Sequence, residues 1–598
     1  MPHKKRFSRI MRQQFALLTI TALAASTMLI SCNETAIHPR ETSTASLETP
    51  DKLPKIQINQ VGFLPQDNKV AVITEQQQGT FKVFSLATQQ VVFTGQLRDK
   101  GRWPLSDEVI SLADFSQVTQ AGDYRLELDE GRQSALFSIS PLAYSEIHDA
   151  SLKAYYFNRA SMALSAEYAG QWAREVGHPD TQVMIHASAA SDQRPEGTFI
   201  SAPKGWYDAG DYGKYVVNSG ISTYTLLLAY RHFSDFYATR SGHIPESNDV
   251  VPDILNEVKW NLDWLEAMQD PNDGGVYHKL TTLNFSGSLM PDKATEQRYV
   301  VQKSTAAALN FAAVMAFASQ VYSDYENAYP GKSAVYSQAA LKAWNWAKAH
   351  PEVYYQQPDD VKTGGYGDKY LADEFALAAA QLFVLTQDPT YLDEFLRLDQ
   401  PFKVANWAST AGLGYFTLVS FAQDLMSAEQ YQQIADKLIK QAELIVTQLE
   451  ESAYQVPLIE SDFVWGSNAV AMNKAMVLLI ANQHKVNPQF RHAAVALSDY
   501  VLGRNPTGYA YVTGFGQQSP LHIHHRPSEA DGVVAPVPGF VAGGAQNGWQ
   551  DKCTYPSKMP AASYVDDFCS YSTNEIAINW NAPLVYVLAA LQVDSASR

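Results

Sequence analysis

The sequence predicts a multi-domain protein in which a β-sandwich of immunoglobulin-like size precedes a large all-α domain. Short runs of alternating apolar and polar residues occupy the stretch from Ile56 to Ile139. After Pro141 the apolar period changes to that of helices, and Ala-rich segments follow one another as far as Leu591. A chain of 598 residues is also too long for one ordinary hydrophobic core, which agrees with more than one domain.

Four runs with a two-residue period predict the strands of the sandwich. They lie at 69–73, 81–84, 124–128 and 135–139, separated by Gly, Asp and Gln. About 85 residues of this kind suit an immunoglobulin-like module, which we place at 55–140.

Helical spacing of Ala, Leu, Phe and Val predicts the second domain, which we place at 145–595. The clearest segments are 254–265, 304–322, 373–386, 428–449 and 468–483. Loops rich in Trp, Tyr, Gly and Asp separate the helical segments. Loops above about 12–15 residues in a compact domain usually carry function, so we look for the site there.

The start of the chain has the pattern of an export signal. Basic residues from Lys4 to Arg12 precede the apolar run Phe15–Ile30. This run is shorter than the roughly 20 residues that a membrane-spanning helix needs. We therefore expect a signal peptide at 1–31 and, after it, a tether rich in Ser, Thr, Glu and Pro at 32–54.

Cys32 directly follows Leu-Ile-Ser, which resembles a bacterial lipobox, in which the thiol is lipidated. Asn33 is not the Asp that resembles an inner-membrane retention signal. We therefore expect an outer-membrane lipoprotein, periplasmic or surface-facing, whose acyl anchor makes the lipid membrane a partner. An ordinary signal peptide with an incidental Cys is the alternative.

Composition describes a folded protein that does not bind nucleic acid. Apolar residues make up 46% and charged residues 18% of the chain, as in globular domains. The net charge is −17, and no basic stripe stands out in the body of the chain. We expect a monomer. Cys553 and Cys569 lie in a Gly/Ser/Pro-rich segment, where an exported protein can form a disulfide; two reduced thiols are the alternative.

The first candidate site is the loop Gly205–Tyr215, where two carboxylates stand three residues apart among Gly and aromatic residues. Inverting glycoside hydrolysis needs one carboxylate to deprotonate water and a second acceptor to hold that water, and Asp208 and Asp211 can do both. Sugar rings stack on aromatic faces, so Tyr207 is a candidate substrate contact. A plain turn or helix cap also explains such acids, and a Ca²⁺ loop would need more oxygen ligands.

Two further candidate sites lie near the end of the chain. The segment His522–Arg526 carries clustered His, which favours either Zn²⁺ or hydrogen bonds to sugar hydroxyls. The segment 564–583 contains Glu575 at the start of an apolar helix. On local sequence alone a helix-capping role explains this Glu better than catalysis does.

Taken together, these three stretches resemble glycoside hydrolase family 9, the inverting cellulases with an (α/α)6 barrel. The Asp-Ala-Gly-Asp motif is present at 208–211, and the His-x-Arg signature falls on His524 and Arg526. The spacing around the family's acid is met by Tyr564, Asp566, Tyr571, Glu575, Ala577, Asn581 and Ala582. The strands before Ile139 resemble the immunoglobulin-like module that precedes one subgroup of this family.

The resemblance implies a role for each matching residue. Glu575 is the general acid, Asp211 the general base, and Asp208 helps to hold the water. His524 and Arg526 bind the sugar beside the cleavage point, and Asp566 lies near the site in support. Glu575 must then be protonated near neutral pH, and the two carboxyls should lie roughly 6.5–9.5 Å apart.

Other matches are less secure. His278, Trp407 and Trp465 resemble subsite residues, and each can equally be a packing residue. Asp373 and Glu374 stand where some members bind structural Ca²⁺, although a solvated helix start explains them as well.

The resemblance implies no cofactor for catalysis. Some members with this front module bind Zn²⁺ through two Cys and two His. Here His178 and His186 are present, but Ser161 and Gly177 stand nearby and no Cys does, so zinc is doubtful.

We therefore predict an inverting endo-β-1,4-glucanase of the cellulase type, acting on cellulose, cellodextrins or mixed-linkage β-glucan. An exo-acting cellodextrinase, β-glucosidase or exo-glucosaminidase of the same family is the first alternative. A lipoprotein that only binds glycan is the second.

Overall fold

The computed structural model describes residues 55–596. The predicted signal peptide at 1–31, the tether at 32–54 and the lipidation site Cys32 lie outside the described residues. The alternation of strand and helix signals along the rest of the chain appears as two regions, one of strands and one of helices.

The first region contains two four-stranded sheets whose strands all pair antiparallel, in the orders β1-β2-β6-β5 and β4-β3-β7-β8. The strands are β1 (Ile56–Gln57), β2 (Val70–Thr74), β3 (Thr80–Ser85), β4 (Gln90–Gln96), β5 (Arg98–Trp103), β6 (Glu108–Asp114), β7 (Gly122–Leu128) and β8 (Phe137–Ile139).

The core of this region forms from alternate residues of the facing strands. In β7, Tyr124, Leu126 and Leu128 are buried while the residues between them are not. Phe63 packs edge-to-face against Phe115 and Phe137, with ring centroids 5.4 and 5.5 Å apart. The two-residue period of the sequence therefore produces the predicted immunoglobulin-like β-sandwich.

The second region is mainly helical. Its helices are α1 (Ser145–Phe157), α2 (Ala166–Ala169), α3 (Val216–His232), α4 (Ser234–Ala238), α5 (Asp253–Met268), α6 (Thr305–Tyr322), α7 (Lys332–Ala349), α8 (Ala372–Thr386), α9 (Pro389–Leu398), α10 (Ala411–Phe421), α11 (Ala428–Glu451), α12 (Ser467–His484), α13 (Pro488–Val501), α14 (Arg526–Ala530) and α15 (Ile578–Ala596).

A small sheet that the helical pattern did not predict lies among these helices, in the order β10-β9-β13-β12-β11. Its strands are β9 (Val183–Ile185), β10 (Phe199–Ile200), β11 (Lys214–Tyr215), β12 (Lys279–Thr281) and β13 (Tyr299–Val300). Strands of two or three residues are too short to leave a periodic signal.

Long helices alternate between two kinds of burial. Helices α3, α6, α8, α10, α12 and α15 are apolar and buried over most of their length. The helices between them bury one face; α11, for example, buries Ile434, Leu438, Ala442, Ile445 and Leu449. Thr305–Tyr325 is long and apolar enough to cross a membrane, but 94% of its apolar stretch is buried inside the protein, as in a core helix.

The sandwich packs against the loops of the helical region. Trp103 contacts the rings of Tyr454 and Phe463, at 4.5 and 6.4 Å between centroids. Asn59 donates to Asp499 at 2.8 Å, and Arg491 pairs with Asp67 at the same distance. The contacts of Trp103 brace the loop that leads into α12, and the two polar contacts bind the sandwich to α13.

Candidate active site

A cleft of about 660 Å³ opens where the buried helices begin. Its wall includes Asp211, Tyr366, Trp407, Trp465, Glu575 and Trp580. The first five of these residues lie in loops that lead directly into α3, α8, α10, α12 and α15, respectively. The fold therefore gathers the N-terminal ends of these helices, and the loops before them, around one groove.

Asp208 is buried at the bottom of the loop before α3. Its Oδ1 accepts the Asn218 amide at 2.7 Å, and its Oδ2 accepts the Tyr366 hydroxyl at 2.7 Å. Burial, and then the neighbouring Asp211, raises the pKa of Asp208 to about 7. The two donors fix this carboxyl beside Asp211, while its role in holding water stays a prediction.

Asp211 faces the cleft with one oxygen engaged. Its Oδ2 accepts the backbone N–H of Gly213 at 3.0 Å and the Tyr215 hydroxyl at 3.2 Å. Among the described residues, no donor contacts its Oδ1. A carboxylate fixed through one oxygen and open through the other has the geometry that a general base for water needs.

Gly210 joins the two halves of the site. A Cβ at this position would lie 2.1 Å from the carbonyl oxygen of His524, so only glycine allows the close approach. The Gly210 N–H donates to Glu575 Oε1 at 3.4 Å, and its carbonyl accepts Arg526 Nη1 at 2.7 Å. The loop of the predicted base therefore contacts the segment of the predicted acid directly.

Glu575 is partly exposed in the cleft wall, three residues before the start of α15. Burial, and then the charges of Asp211 and Asp208, raises its pKa well above the usual range for a Glu. Its backbone pairs with that of His524, and Gly543 N–H donates to its carbonyl at 2.9 Å. These surroundings favour the protonated form of Glu575 and hold its backbone in place, so it is not a solvated helix cap.

The other predicted residues on this side support the acid. His524 Nδ1 donates to the Phe568 carbonyl, 2.6 Å away, and its ring stacks on Phe568. Asp566 accepts the N–H groups of Leu521 and His522 at 2.8 and 2.9 Å, which ties the two C-terminal loops together.

Arg526 Nε donates to the Ser286 carbonyl at 2.9 Å. Together with its bond to Gly210, this fixes Arg526 across the rim of the cleft. The predicted contact between Arg526 and sugar stays a prediction.

Two of the three subsite candidates lie in the cleft wall, and their contact with sugar stays a prediction. Trp407 and Trp465 both line the cleft, and Trp465 is 42% exposed. Trp407 packs edge-on against Tyr366, at 5.0 Å between ring centroids. Exposed indole faces in a groove are suited to stacking on pyranose rings.

Sequence reasoning missed Tyr366 and Trp580. Tyr366 is the residue whose hydroxyl holds Asp208, and its φ is +51°, a conformation that is uncommon for a residue with a side chain. Its position just before the apolar helix α8 matches that of the other cleft residues, and this spacing is the signal that could have found it.

His278 and Tyr207 do not line the cleft, so the prediction that they contact substrate is corrected. His278 is fully buried, stacks on Tyr355 at 3.9 Å and bonds the Ser304 hydroxyl and the Gly365 carbonyl. Tyr207 is 1% exposed and bonds His178 through its hydroxyl at 2.8 Å. Both rings are enclosed by protein on all sides, and the local sequence does not reveal this burial.

The histidines considered for zinc have different partners. His178 Nδ1 bonds Tyr207, whereas His186 bonds Ser188 and Asp360. Ser161 donates to the His178 carbonyl, and a Cβ at Gly177 would lie 2.3 Å from Pro291 Cβ. This donor set does not fit a tetrahedral zinc site, which needs four Cys or His ligands at one point.

Asp373 and Glu374, the residues considered for calcium, are buried rather than solvated. Thr410 N–H donates to Asp373 Oδ2, but Asp373 Oδ1 and both Glu374 oxygens have no hydrogen-bond partner within residues 55–596. Burial raises the pKa of both carboxyls, and the neighbouring Asp373 adds to the rise at Glu374. Orphaned carboxylate oxygens of this kind fit a hard cation such as Ca²⁺.

Cys553 and Cys569 are joined in a disulfide, with 5.8 Å between their Cα atoms. Asp551, just before this bridge, accepts the N–H and hydroxyl of Ser572. The bridge therefore closes the loop 553–569, which ends next to Phe568. Phe568 in turn contacts His524, whose backbone pairs with that of Glu575.

Comparison with known proteins agrees with this geometry. The model of Glycosyl hydrolase family 9 matches residues 144–588, and that of the Cellulase N-terminal ig-like domain matches residues 51–133. The xyloglucan-specific endo-beta-1,4-glucanase BoGH9A of Bacteroides ovatus is 41% identical over 549 residues, which cover 90% of this chain and 93% of the relative.

Solved structures show the same similarity. A structure described as Bacteroides ovatus GH9 has a TM-score of 0.86 at 40% identity and covers 90% of this chain and 99% of its own. The structure of AaCel9A in complex with cellobiose-like isofagomine has a TM-score of 0.82 at 32% identity and covers 90% of this chain and all of its own, 100%.

Proposed function

Since the chain belongs to glycosyl hydrolase family 9, we propose that it cleaves internal β-1,4-glucosidic bonds of β-glucan with inversion at the anomeric carbon. The observation that carries this proposal is the pair formed by Asp211, with one oxygen open to the cleft, and Glu575, with a raised pKa, in one aromatic-lined groove. No cofactor takes part in this chemistry.

The mechanism follows from the two environments. Glu575, protonated at neutral pH, gives its proton to the glycosidic oxygen as the bond to the anomeric carbon breaks. Asp211 removes a proton from the water that attacks the opposite face of the sugar. Asp208, His524 and Arg526 fix these groups and the glycone around the reacting carbon.

The first-formed anomer on cellotetraose, followed by NMR, tests this proposal. We expect the α-anomer to appear first and to mutarotate later, because inversion of a β-linkage gives α. A β-anomer as first product would contradict the mechanism. Equal release of reducing ends by wild type and Glu575→Gln on every β-glucan would favour the binding-only alternative.

The endo mode is supported by the relative's printed activity and by the cleft, whose wall is drawn from five separate helix-leading loops. Viscosity of carboxymethylcellulose should fall faster than reducing ends accumulate. Parallel change in both would favour the exo-acting cellodextrinase, β-glucosidase or exo-glucosaminidase.

A branched β-1,4-glucan is a second candidate substrate. Gly364, Gly365, Ala405 and Ala408 lie beside Tyr366 and Trp407 in the cleft wall and leave space next to a stacked chain. The relative from Bacteroides ovatus is named for xyloglucan. Comparison of kcat/KM on xyloglucan and on hydroxyethylcellulose separates the two substrates.

We also propose that the six buried helices form the inner ring of an (α/α)6 barrel. Their alternation with six helices that bury one face, α1, α5, α7, α9, α11 and α13, supports this arrangement. The orphaned oxygens of Asp373 and Glu374 support a structural Ca²⁺ at the start of α8.

Export as a monomeric outer-membrane lipoprotein, periplasmic or surface-facing, is a further proposal. It is supported by the basic start, the apolar run and the Leu-Ile-Ser-Cys pattern. Palmitate labelling and membrane fractionation of wild type and Cys32→Ala test it. Labelling that persists without Cys32 would contradict the anchor.

A further inference from the structure

Lys279 is a buried cation that the mechanism above does not use. Its side chain lies at the start of β12, fully buried. Its Nζ donates to the Gly364 carbonyl at 2.5 Å and to Thr363 Oγ1 and Gln357 Oε1 at 3.1 Å. All three acceptors are neutral, and within residues 55–596 no carboxylate lies at ion-pair distance from this ammonium group.

A buried charge without a counter-ion is costly, so such a group calls for an explanation in its surroundings. The charged group that acts on Lys279 through space is Asp211. Between them lies the ring of Tyr215, whose centroid is 5.5 Å from Nζ and whose hydroxyl donates to Asp211 Oδ2. Lys279 and Tyr215 are also direct partners in the pairing of β12 with β11.

The same lysine supports the opposite wall of the cleft. Its hydrogen bonds to Thr363 and Gly364 hold the segment 363–365, together with the bond between Thr281 and Thr363 and that of His278 to Gly365. Tyr366 follows directly and donates to Asp208. One side chain therefore links the surroundings of both aspartates.

We propose that Lys279 is a positioning residue whose buried ammonium group faces Asp211 across the ring of Tyr215, stabilises negative charge there and holds the segment that presents Tyr366. This inference rests on the proposed hydrolytic function. Asp211 is close enough to act on both Asp208 and Glu575, and a nearby cation offsets the mutual repulsion of these acidic groups. The titratable groups that face Asp211 are Asp208, Tyr215, Lys279, His524 and Glu575.

The lysine is charged where this role requires it. Burial lowers the pKa of Lys279 to about 7, and Asp211 opposes that decrease. Lys279 therefore carries its charge through the acidic range in which a carboxylate base gains or loses its proton. The other groups facing Lys279 are the rings of Tyr215, Tyr355 and His278, none of which supplies a negative charge at that pH.

The pH profile of kcat/KM on cellotetraose tests the inference with four variants. Lys279→Met and Lys279→Gln both remove the charge, and the second keeps a hydrogen-bond donor in case the first fails to fold. We expect the acidic limb of the profile to move up by about one pH unit in both. Lys279→Arg keeps the charge, so its acidic limb should stay within a few tenths of a unit of wild type.

Thr281→Val is the matched control, because it removes a bond to Thr363 and leaves the ammonium in place. It should lower kcat without moving the acidic limb. A wild-type acidic limb in either neutral variant, or an equal shift in Thr281→Val, overturns the role of Lys279. Absence of hydrolysis by the wild-type protein would instead overturn the proposed function, so the two failures are distinguishable.

Discussion

The carboxyl groups of Asp208 and Asp211 receive more hydrogen bonds than the carboxyl group of Glu575 on the other side of the site. Four donors, from Asn218, Tyr366, Gly213 and Tyr215, point at the two aspartates. Glu575 receives one N–H, from Gly210, at 3.4 Å. Hydrogen-bond donors stabilise a carboxylate, and a carboxyl group with few donors favours its protonated form, so this difference agrees with the predicted roles of Asp211 as base and Glu575 as acid.

The loop that carries Asp208 and Asp211, here the base side, and the segment that carries Glu575, here the acid side, also differ in how their backbone is fixed. The acid side is closed by the disulfide Cys553–Cys569 and by backbone pairing with His524. The base side depends on side-chain hydrogen bonds and on the segment before α8, next to the orphaned carboxyls of Asp373 and Glu374. The disulfide therefore stabilises the acid side, and a cation bound to Asp373 and Glu374 would stabilise the base side.

Removal of either reacting carboxyl should have the largest effect. We expect Glu575→Gln and Asp211→Asn each to lower kcat on cellotetraose by about 10³-fold or more. On an aryl cellobioside with a good leaving group, Glu575→Gln should lose much less activity than Asp211→Asn, because the departure of that leaving group needs no acid. Rates on both substrates measure this, and equal losses for the two variants would contradict the assignment of acid and base.

The wild-type pH profile gives a second view of the same pair. A raised pKa at Glu575 keeps the acid protonated above the usual range of Glu, and activity is lost as pH rises through that pKa. In Glu575→Gln the basic limb of kcat/KM should disappear.

Gly210→Ala should have the next largest effect, because it forces the two sides apart. A Cβ would meet the His524 carbonyl at 2.1 Å, so the base loop must shift relative to Glu575. We expect kcat to fall about a hundredfold with folding retained. Gly287→Ala is the control, as a Cβ there meets nothing within 4 Å. Near wild-type kcat for Gly210→Ala would mean that the two sides move independently.

Loss of the disulfide should weaken the acid side alone. The bridge closes a loop of sequence separation 16, for which chain entropy gives a stabilisation of about 3 kcal/mol. We expect Cys553→Ser/Cys569→Ser to unfold several degrees lower by calorimetry. Its kcat should fall more on cellotetraose than on the aryl cellobioside. An equal loss on both would place the damage on the base side instead.

Calcium should have the smallest effect and should act on the base side. If the cation binds Asp373 and Glu374, Ca²⁺ at about 100 times its Kd adds about 2.7 kcal/mol to the free energy of unfolding. The Tm should rise with Ca²⁺ and fall with chelator. Glu374→Gln should abolish the response, whereas Asp388→Asn, at an exposed helix cap, should keep it. A response that survives Glu374→Gln would place the cation elsewhere.

The sequence predicted the periodic elements well. The segments 373–386 and 428–449 became α8 and α11 with shifts of one or two residues at their ends, because long apolar periods leave little choice of structure. The positions of Asp208, Asp211 and Glu575 came from family resemblance, since each of these acids alone also suits a turn or cap. Their proximity depends on tertiary packing that no local pattern encodes.

His278 and Tyr207 show where sequence reasoning stops. Both are polar aromatics next to candidate motifs, as are Trp407 and Trp465, but the first two are enclosed and the second two open to the groove. Tyr366 was missed because its importance comes from one long-range hydrogen bond, across 158 residues of sequence. Exposure and long-range partners are properties of the folded chain.

The contact between Gly210 and Glu575 bridges 365 positions, and Ile578 N–H closes it further by donating to the Asp208 carbonyl at 2.9 Å. On the proposed mechanism, a nascent polypeptide has the residue that activates water long before its proton donor is translated. We therefore expect activity only after the last helix has docked, and no hydrolysis of glucan by fragments that premature termination or C-terminal proteolysis leaves without Glu575.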